Sequence, residues 1–187
     1  PTRRSSDLAM AVRLGLDFDQ ARAVAEEAAQ GEVCEAANDN GGGQVVVSGH
    51  AAAIERAIAI ARAKGARRAM LLPVSAPFHC RLMQPAADAM AEALARTALR
   101  APLVPVYANV TAAPTSDPDE IRDLLVRQVT GTVRWRESVE AMVAAGVDKF
   151  VELGGKVLGP MIRRITPDAA VTSVVTMADV EALAKEI

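Results

Sequence analysis

His79 is the residue in this chain best placed to do chemistry. It closes the stretch Leu71-Leu72-Pro73-Val74-Ser75-Ala76-Pro77-Phe78, where an apolar run ends at one proline and a second proline sets the approach to the histidine. Pro77 disfavours helix at Ala76, which predicts an extended or turning loop just past a strand end. Such loops commonly carry function on a rigid scaffold, and imidazole is the side chain best suited to moving protons near neutral pH. By residue type alone, packing beside Pro77 and Phe78 is the other use for His79. Gln128 comes next. Ile121, Leu124, Leu125 and Gln128 fall at i, i+3, i+4 and i+7, so the amide shares an apolar, inward face and needs partners there. A glutamine satisfied at a helix end is the plainer alternative. Cys34, His50, His79 and Cys80 lack zinc-ligand spacing, so no metal is expected. A Cys80–His79 dyad is not expected either, since neighbours in extended chain point apart. None of Ser5, Ser6, Ser48, Ser75, Ser116, Ser138 or Ser173 sits in a G-x-S-x-G elbow.

The elements that must position these residues alternate between strand and helix. Ala9–Leu16 reads as a strand, and Asp17 with Gln20 caps a helix whose inner face is Ala21, Val24, Ala25 and Ala28. Glu32–Ala37 and Gln44–Ser48 are strands joined by the turn-forming Asn38-Asp39-Asn40-Gly41-Gly42-Gly43. A helix over Ala51–Lys64, striped by Ile54, Ala57, Ile58 and Ala61, stops at Gly65, and Arg68–Val74 is a further strand. The order βαββαβ predicts a ferredoxin-like subdomain. Beyond it come an amphipathic helix (Leu82–Leu99, with Met83, Ala87, Met90 and Leu94 on one face) and a strand (Leu103–Val110). A helix follows from Asp117-Pro118 to about Val129, then another over Arg136–Ala145, with strands at Val147–Leu153 and Val171–Val175 and a helix opened by Gly154-Gly155-Lys156 between them. Strands alternating with helices imply a parallel sheet.

Composition narrows the class. The 187 residues are 51% hydrophobic and 24% charged, and no apolar run approaches the ~18 residues of a membrane span. The chain reads as a soluble globular protein without a membrane segment or secretory signal. The net charge of −2 is well mixed, which argues against nucleic acid, and two cysteines suit a reducing cytoplasm. Pro1–Leu8 is polar and Arg/Ser-rich, and is read as a foreign or disordered tail.

The segment Val74–Ala87 resembles the histidine region of malonyl-CoA:acyl carrier protein transacylases. Leu125-Val126-Arg127-Gln128-Val129 with Val133-Arg134-Trp135 is similar to the family's segment that holds the histidine, Asn38–Gln44 with Val45-Val46-Val47-Ser48-Gly49 resembles the hairpin of its small subdomain, and Asn109-Val110-Thr111-Ala112 matches a segment after one of its sheet strands. Glu152-Leu153-Gly154-Gly155-Lys156-Val157-Leu158 is similar to the family's strand-to-helix turn but has one residue fewer between the glycines. That turn lacks the GxxxxGK spacing of a phosphate loop and reads as structural.

The resemblance implies an α/β-hydrolase-like acyltransferase domain with a ferredoxin-like small subdomain. Residues 1–8 would be the tail, 9–75 the subdomain and 76–187 the C-terminal part of the α/β core. His79 would activate a serine that takes malonyl from coenzyme A and passes it to the thiol of acyl carrier protein, in cytoplasmic fatty acid synthesis. The backbone carbonyl of Gln128 would hold the histidine, and Phe78 would favour malonyl over bulkier groups. No cofactor is implied, and the chain is expected to be a monomer. The elbow serine, oxyanion donors and malonyl-gripping arginine precede the small subdomain in this family, so the chain reads as a fragment without activity of its own. Rival readings are a polyketide synthase acyltransferase domain, a non-catalytic module that binds a carrier protein, and an α/β-hydrolase-like enzyme passing the acyl group to water.

Overall fold

The computed structural model describes residues 8–12, 16–66, 68–74 and 76–186. They belong to two compact units, Pro1–Trp135 and Arg136–Ile187. The expected tail lies outside the described residues except for Leu8, which opens the first strand.

The first unit begins with β1 (Leu8–Val12), α1 (Phe18–Ala29), β2 (Cys34–Asp39), β3 (Val45–His50), α2 (Ala51–Ala63) and β4 (Met70–Leu71). The sheet order is β2-β3-β1-β4 with every neighbouring pair antiparallel, which is the ferredoxin-like arrangement. Its helices start where the sequence says they should. Asp17 Oδ1 accepts the Gln20 amide at 2.8 Å, and Gln20 Oε1 accepts the Asp17 amide at 3.2 Å. The predicted stripes of α1 and α2 are buried throughout, packed with Ala11, Val45 and Val47 of the sheet. Strand alternation sends Met10, Ala37 and Val46 to a second cluster with Leu72. Burying a side chain such as Ile54 contributes about 2 kcal/mol.

Two strands are shorter than expected. The strand expected over 9–16 ends at Val12, and 13–15 lie outside the described residues. The strand expected over 68–74 pairs only at Met70–Leu71, because Pro73 has no amide to continue the ladder. At the other edge of the sheet, β2 is extended by chain from far away. The Val133 amide donates to Ala37 O at 2.8 Å, the Asp39 amide donates to Val133 O at 2.9 Å, and Thr132 Oγ1 donates to Ala36 O at 2.8 Å.

The rest of this unit holds a 3-10 turn (Arg81–Met83), α3 (Gln84–Ala95), β5 (Val106–Ala108), β6 (Ala113–Thr115) and α4 (Pro118–Thr130). The strand expected over 103–110 begins only after Pro105, which interrupts the ladder, and turns back as an antiparallel hairpin with β6. Of the expected inner face of α3, only Ala87 is fully buried, and Met90 is exposed. The start of α4 follows prediction: Asp117 Oδ1 accepts the Asp119 and Glu120 amides at 2.8 and 3.3 Å, with Pro118 in the first turn.

The second unit carries α5 (Trp135–Ala144), β7 (Lys149–Leu153), α6 (Leu158–Ile165), β8 (Ala170–Val174) and α7 (Met177–Leu183), α5 starting at the last residue of the first unit. The expected parallel pairing is confined to β7 and β8, registered from Lys149↔Ala170 to Leu153↔Val174. Glu152 organises the turn between β7 and α6. Its carboxylate accepts the amides of Val157, Leu158 and Gly159 at 2.7, 2.9 and 2.9 Å. Those bonds hold its carboxyl below the usual glutamate range. Among the described residues, no helix is long and apolar enough to cross a membrane.

The packing can be checked at two positions. Gly49 faces Cys34 in the β2–β3 ladder, and a Cβ there would stand 2.0 Å from the Val33 carbonyl oxygen. Gly49→Ala should therefore lower stability by about 2–3 kcal/mol, read as a lower urea midpoint. Glu152 has its folded-state pKa depressed, so it stabilises the fold above its unfolded pKa of about 4.3 and ceases to as pH falls through the lower, folded value. Glu152→Gln should lower the urea midpoint at neutral pH, and the gap to wild type should narrow below about pH 4.

Candidate active site

The loop that carries His79 is a tight turn. Pro77 and Cys80 are fully buried, and Cys80 Sγ donates to Pro77 O at 3.1 Å, closing the turn from inside. His79 has φ of 59°, in the left-handed region that costs a residue with a Cβ about 1 kcal/mol. Such a conformation persists only where the surroundings over-determine it.

The ring is held from α4. His79 Nδ1 lies 3.0 Å from the carbonyl oxygen of Gln128. A carbonyl oxygen only accepts, so in the neutral ring Nδ1 carries the proton and Nε2 keeps its lone pair. That tautomer is the one a general base needs. Gln128 offers its carbonyl because it lies in the last turn of α4, whose final four carbonyls have no acceptor duty within the helix. Its side chain is engaged elsewhere, with Nε2 donating to Gly131 O at 3.0 Å. The expected apolar face of α4 is uneven, with Leu124 buried, Ile121 and Gln128 half-buried, and Leu125 exposed.

The structure thus brings His79 and Gln128 together and leaves Phe78 aside. Phe78 is 42% exposed and does not line the cavity that His79 lines. That cavity, about 380 Å³, is bounded by Phe18, Arg22 and Glu26 of α1, by Cys34 and Glu35 of β2, by Thr130 at the end of α4 and by Thr132 just after it. Sequence reasoning missed the α1 residues. Their i, i+4, i+8 spacing on the polar side of a capped helix was the available signal.

The two thiols are poor nucleophiles here. Burial pushes the Cys34 thiol up to about 12 and raises that of Cys80, so neither supplies thiolate near neutral pH. Among the described residues no three His, Cys, Asp or Glu side chains are grouped as metal ligands would be. What the arrangement offers is one oriented imidazole, with a free nitrogen, beside an open cavity.

Because the contact to His79 uses the Gln128 backbone, Gln128→Ala should keep the Nδ1-protonated signature in imidazole ¹⁵N spectra. It should lose only the Gly131 bond, about 1 kcal/mol of stability.

Comparison with known proteins shows the family. Residues 10–159 match the family model described as acyl transferase domain. Malonyl CoA-acyl carrier protein transacylase of Escherichia coli K12 is 49% identical over 158 residues, which are 84% of this chain and 51% of that protein. Acyl-carrier-protein-S-malonyltransferase from Bartonella henselae superposes with a TM-score of 0.93 at 49% identity, covering 97% of this chain and 58% of that one. A malonyl-transacylase solved in complex with a type II polyketide acyl-carrier protein superposes with a TM-score of 0.93 at 37% identity, covering 97% and 59%. The chain spans about half the length of the curated relatives it matches. Its α/β fold with a ferredoxin-like part is that of these acyltransferases, and the chain belongs to the acyl transferase domain family.

Proposed function

We propose that this chain supplies the general base of a malonyl-CoA:acyl carrier protein transacylase, with His79 in that role. The observation that carries the reading is the 3.0 Å contact of His79 Nδ1 with Gln128 O, which leaves Nε2 free to take a proton. A serine hydroxyl attacks the malonyl thioester carbonyl while His79 Nε2 accepts its proton. The tetrahedral intermediate collapses, the thioester C–S bond breaks, and coenzyme A leaves as the thiol with that proton. In the second half-reaction the carrier protein thiol gives its proton to His79 and attacks the malonyl ester. Collapse then returns serine and malonyl-carrier thioester.

The serine lies outside these 187 residues, since none of their serines occupies a G-x-S-x-G elbow. Gln128 acts through its carbonyl, fixing the ring. Residues 9–75 form the small subdomain and 76–187 part of the α/β core. The protein works as a monomer in the cytoplasm, on malonyl-CoA and acyl carrier protein, in fatty acid synthesis. A polyketide carrier is the second reading, favoured by the neighbour solved with such a carrier; it changes the acceptor and leaves the chemistry as written.

The test is malonyl transfer from [¹⁴C]malonyl-CoA to acyl carrier protein. The chain by itself should form no acyl-enzyme, and transfer by it would refute the reading. Joined to the N-terminal half of a relative, it should transfer malonyl, and His79→Ala should then cut kcat by roughly 10³-fold or more. An unchanged kcat would remove His79 from the mechanism.

A further inference from the structure

The left-handed backbone at His79 needs holding from outside its own turn, and one of the ties comes from a residue 46 positions upstream of Arg81. Glu35 Oε2 accepts the Arg81 amide at 3.0 Å, and Glu35 Oε1 lies 3.2 Å from Arg81 Nε. The Arg81 amide opens the 3-10 turn that follows His79 and has no partner within that turn. The next residues of the same strand hold the other half of the site. Ala36 O accepts Thr132 Oγ1 and Ala37 O accepts the Val133 amide, just beyond the helix end that presents Gln128 O. Consecutive residues of β2 therefore anchor the histidine's loop and the segment that follows its acceptor. The strand is itself fixed, with Cys34 paired to Gly49 at a close approach.

We propose that Glu35 is a positioning residue for His79, acting through the Arg81 main-chain amide to hold the turn where Nδ1–H meets Gln128 O. Its catalytic meaning rests on the reading of His79 as base. The ion pair is secondary. Arg81 is 67% exposed in its side chain, and solvent screens an exposed pair of this kind. The main-chain bond is the part that fixes geometry, so an acceptor oxygen at this reach matters more than its charge.

The experiment follows the His79 Nδ1 proton by ¹⁵N-edited NMR of this chain, with thermal unfolding measured alongside. Glu35→Ala should speed exchange of that proton with water at least ten-fold. Glu35→Gln, which keeps an oxygen for the Arg81 amide, and Arg81→Ala, which keeps the amide and the carboxylate, should stay within about two-fold of wild type. A merely stabilising Glu35 would lower Tm in the alanine variant while leaving the proton's exchange unchanged, and that result overturns the proposal. An effect of Arg81→Ala as large as that of Glu35→Ala also overturns it, because the ion pair would then be the tie. Should Glu35→Ala not fold, Glu35→Asp decides. Its carboxylate is one methylene short of the amide, so ten-fold faster exchange supports the proposal and unchanged exchange overturns it. The measurement needs no transacylase activity, so it can fail while the functional reading stands, and the reverse.

Discussion

The bond from His79 Nδ1 to the carbonyl of Gln128 joins segments 49 residues apart and fixes which ring nitrogen carries the proton. An imidazole can act as a base only from a defined nitrogen, and that nitrogen is chosen by what the other one touches. Here the chooser is a main-chain oxygen at a helix end. It cannot titrate and cannot change rotamer, and side-chain substitution at its residue leaves it in place. A carboxylate in that position would attract the imidazolium more strongly. It would also add a charge that must be solvated in a half-buried site. The carbonyl orients the ring with a dipole and no further ionisation.

Reaching that carbonyl requires α4 to end at the right height, and β2 supplies the ruler. An edge strand normally presents unpaired amides and carbonyls. Here Thr132 and Val133 occupy that edge, so the chain leaving α4 is hydrogen-bonded to the small sheet. The first compact unit runs on past this tie to Trp135. The second unit solves its own closure differently. In the short turn between β7 and α6 the Glu152 carboxylate gathers three amides.

Much of this was legible in the residues, for local reasons. Asp17 with Gln20, and Asp117 with Pro118, are signals that complete themselves within one helical turn, and both helices begin there. The four-residue stripes of α1 and α2 are periodic and are buried as read. The site was legible through His79, where proline spacing marks the loop and the family resemblance names the partner. What the sequence hid is non-local. The strand expected over 103–110 has β propensity but depends on which neighbour pairs with it, and only Val106–Ala108 finds one. Glu35 looks like any polar residue on a half-exposed strand, and only the fold carries the Arg81 amide to it. The short α7 was missed although Thr176 and Asp179 form a capping box, because seven residues give little periodicity to read.

Cys34 and Cys80 are 5% and 0% exposed, and they sit in different kinds of place. Cys34 belongs to the core between the helices and the sheet, whereas Cys80 closes the turn beneath His79. With its thiol pushed up to about 12 by burial, Cys34 holds almost no thiolate at neutral pH, although it borders the cavity that His79 lines. Cys80 is the one of the two that does not line that cavity, so it serves as an internal clock: alkylation at position 80 counts openings of the turn that carries His79.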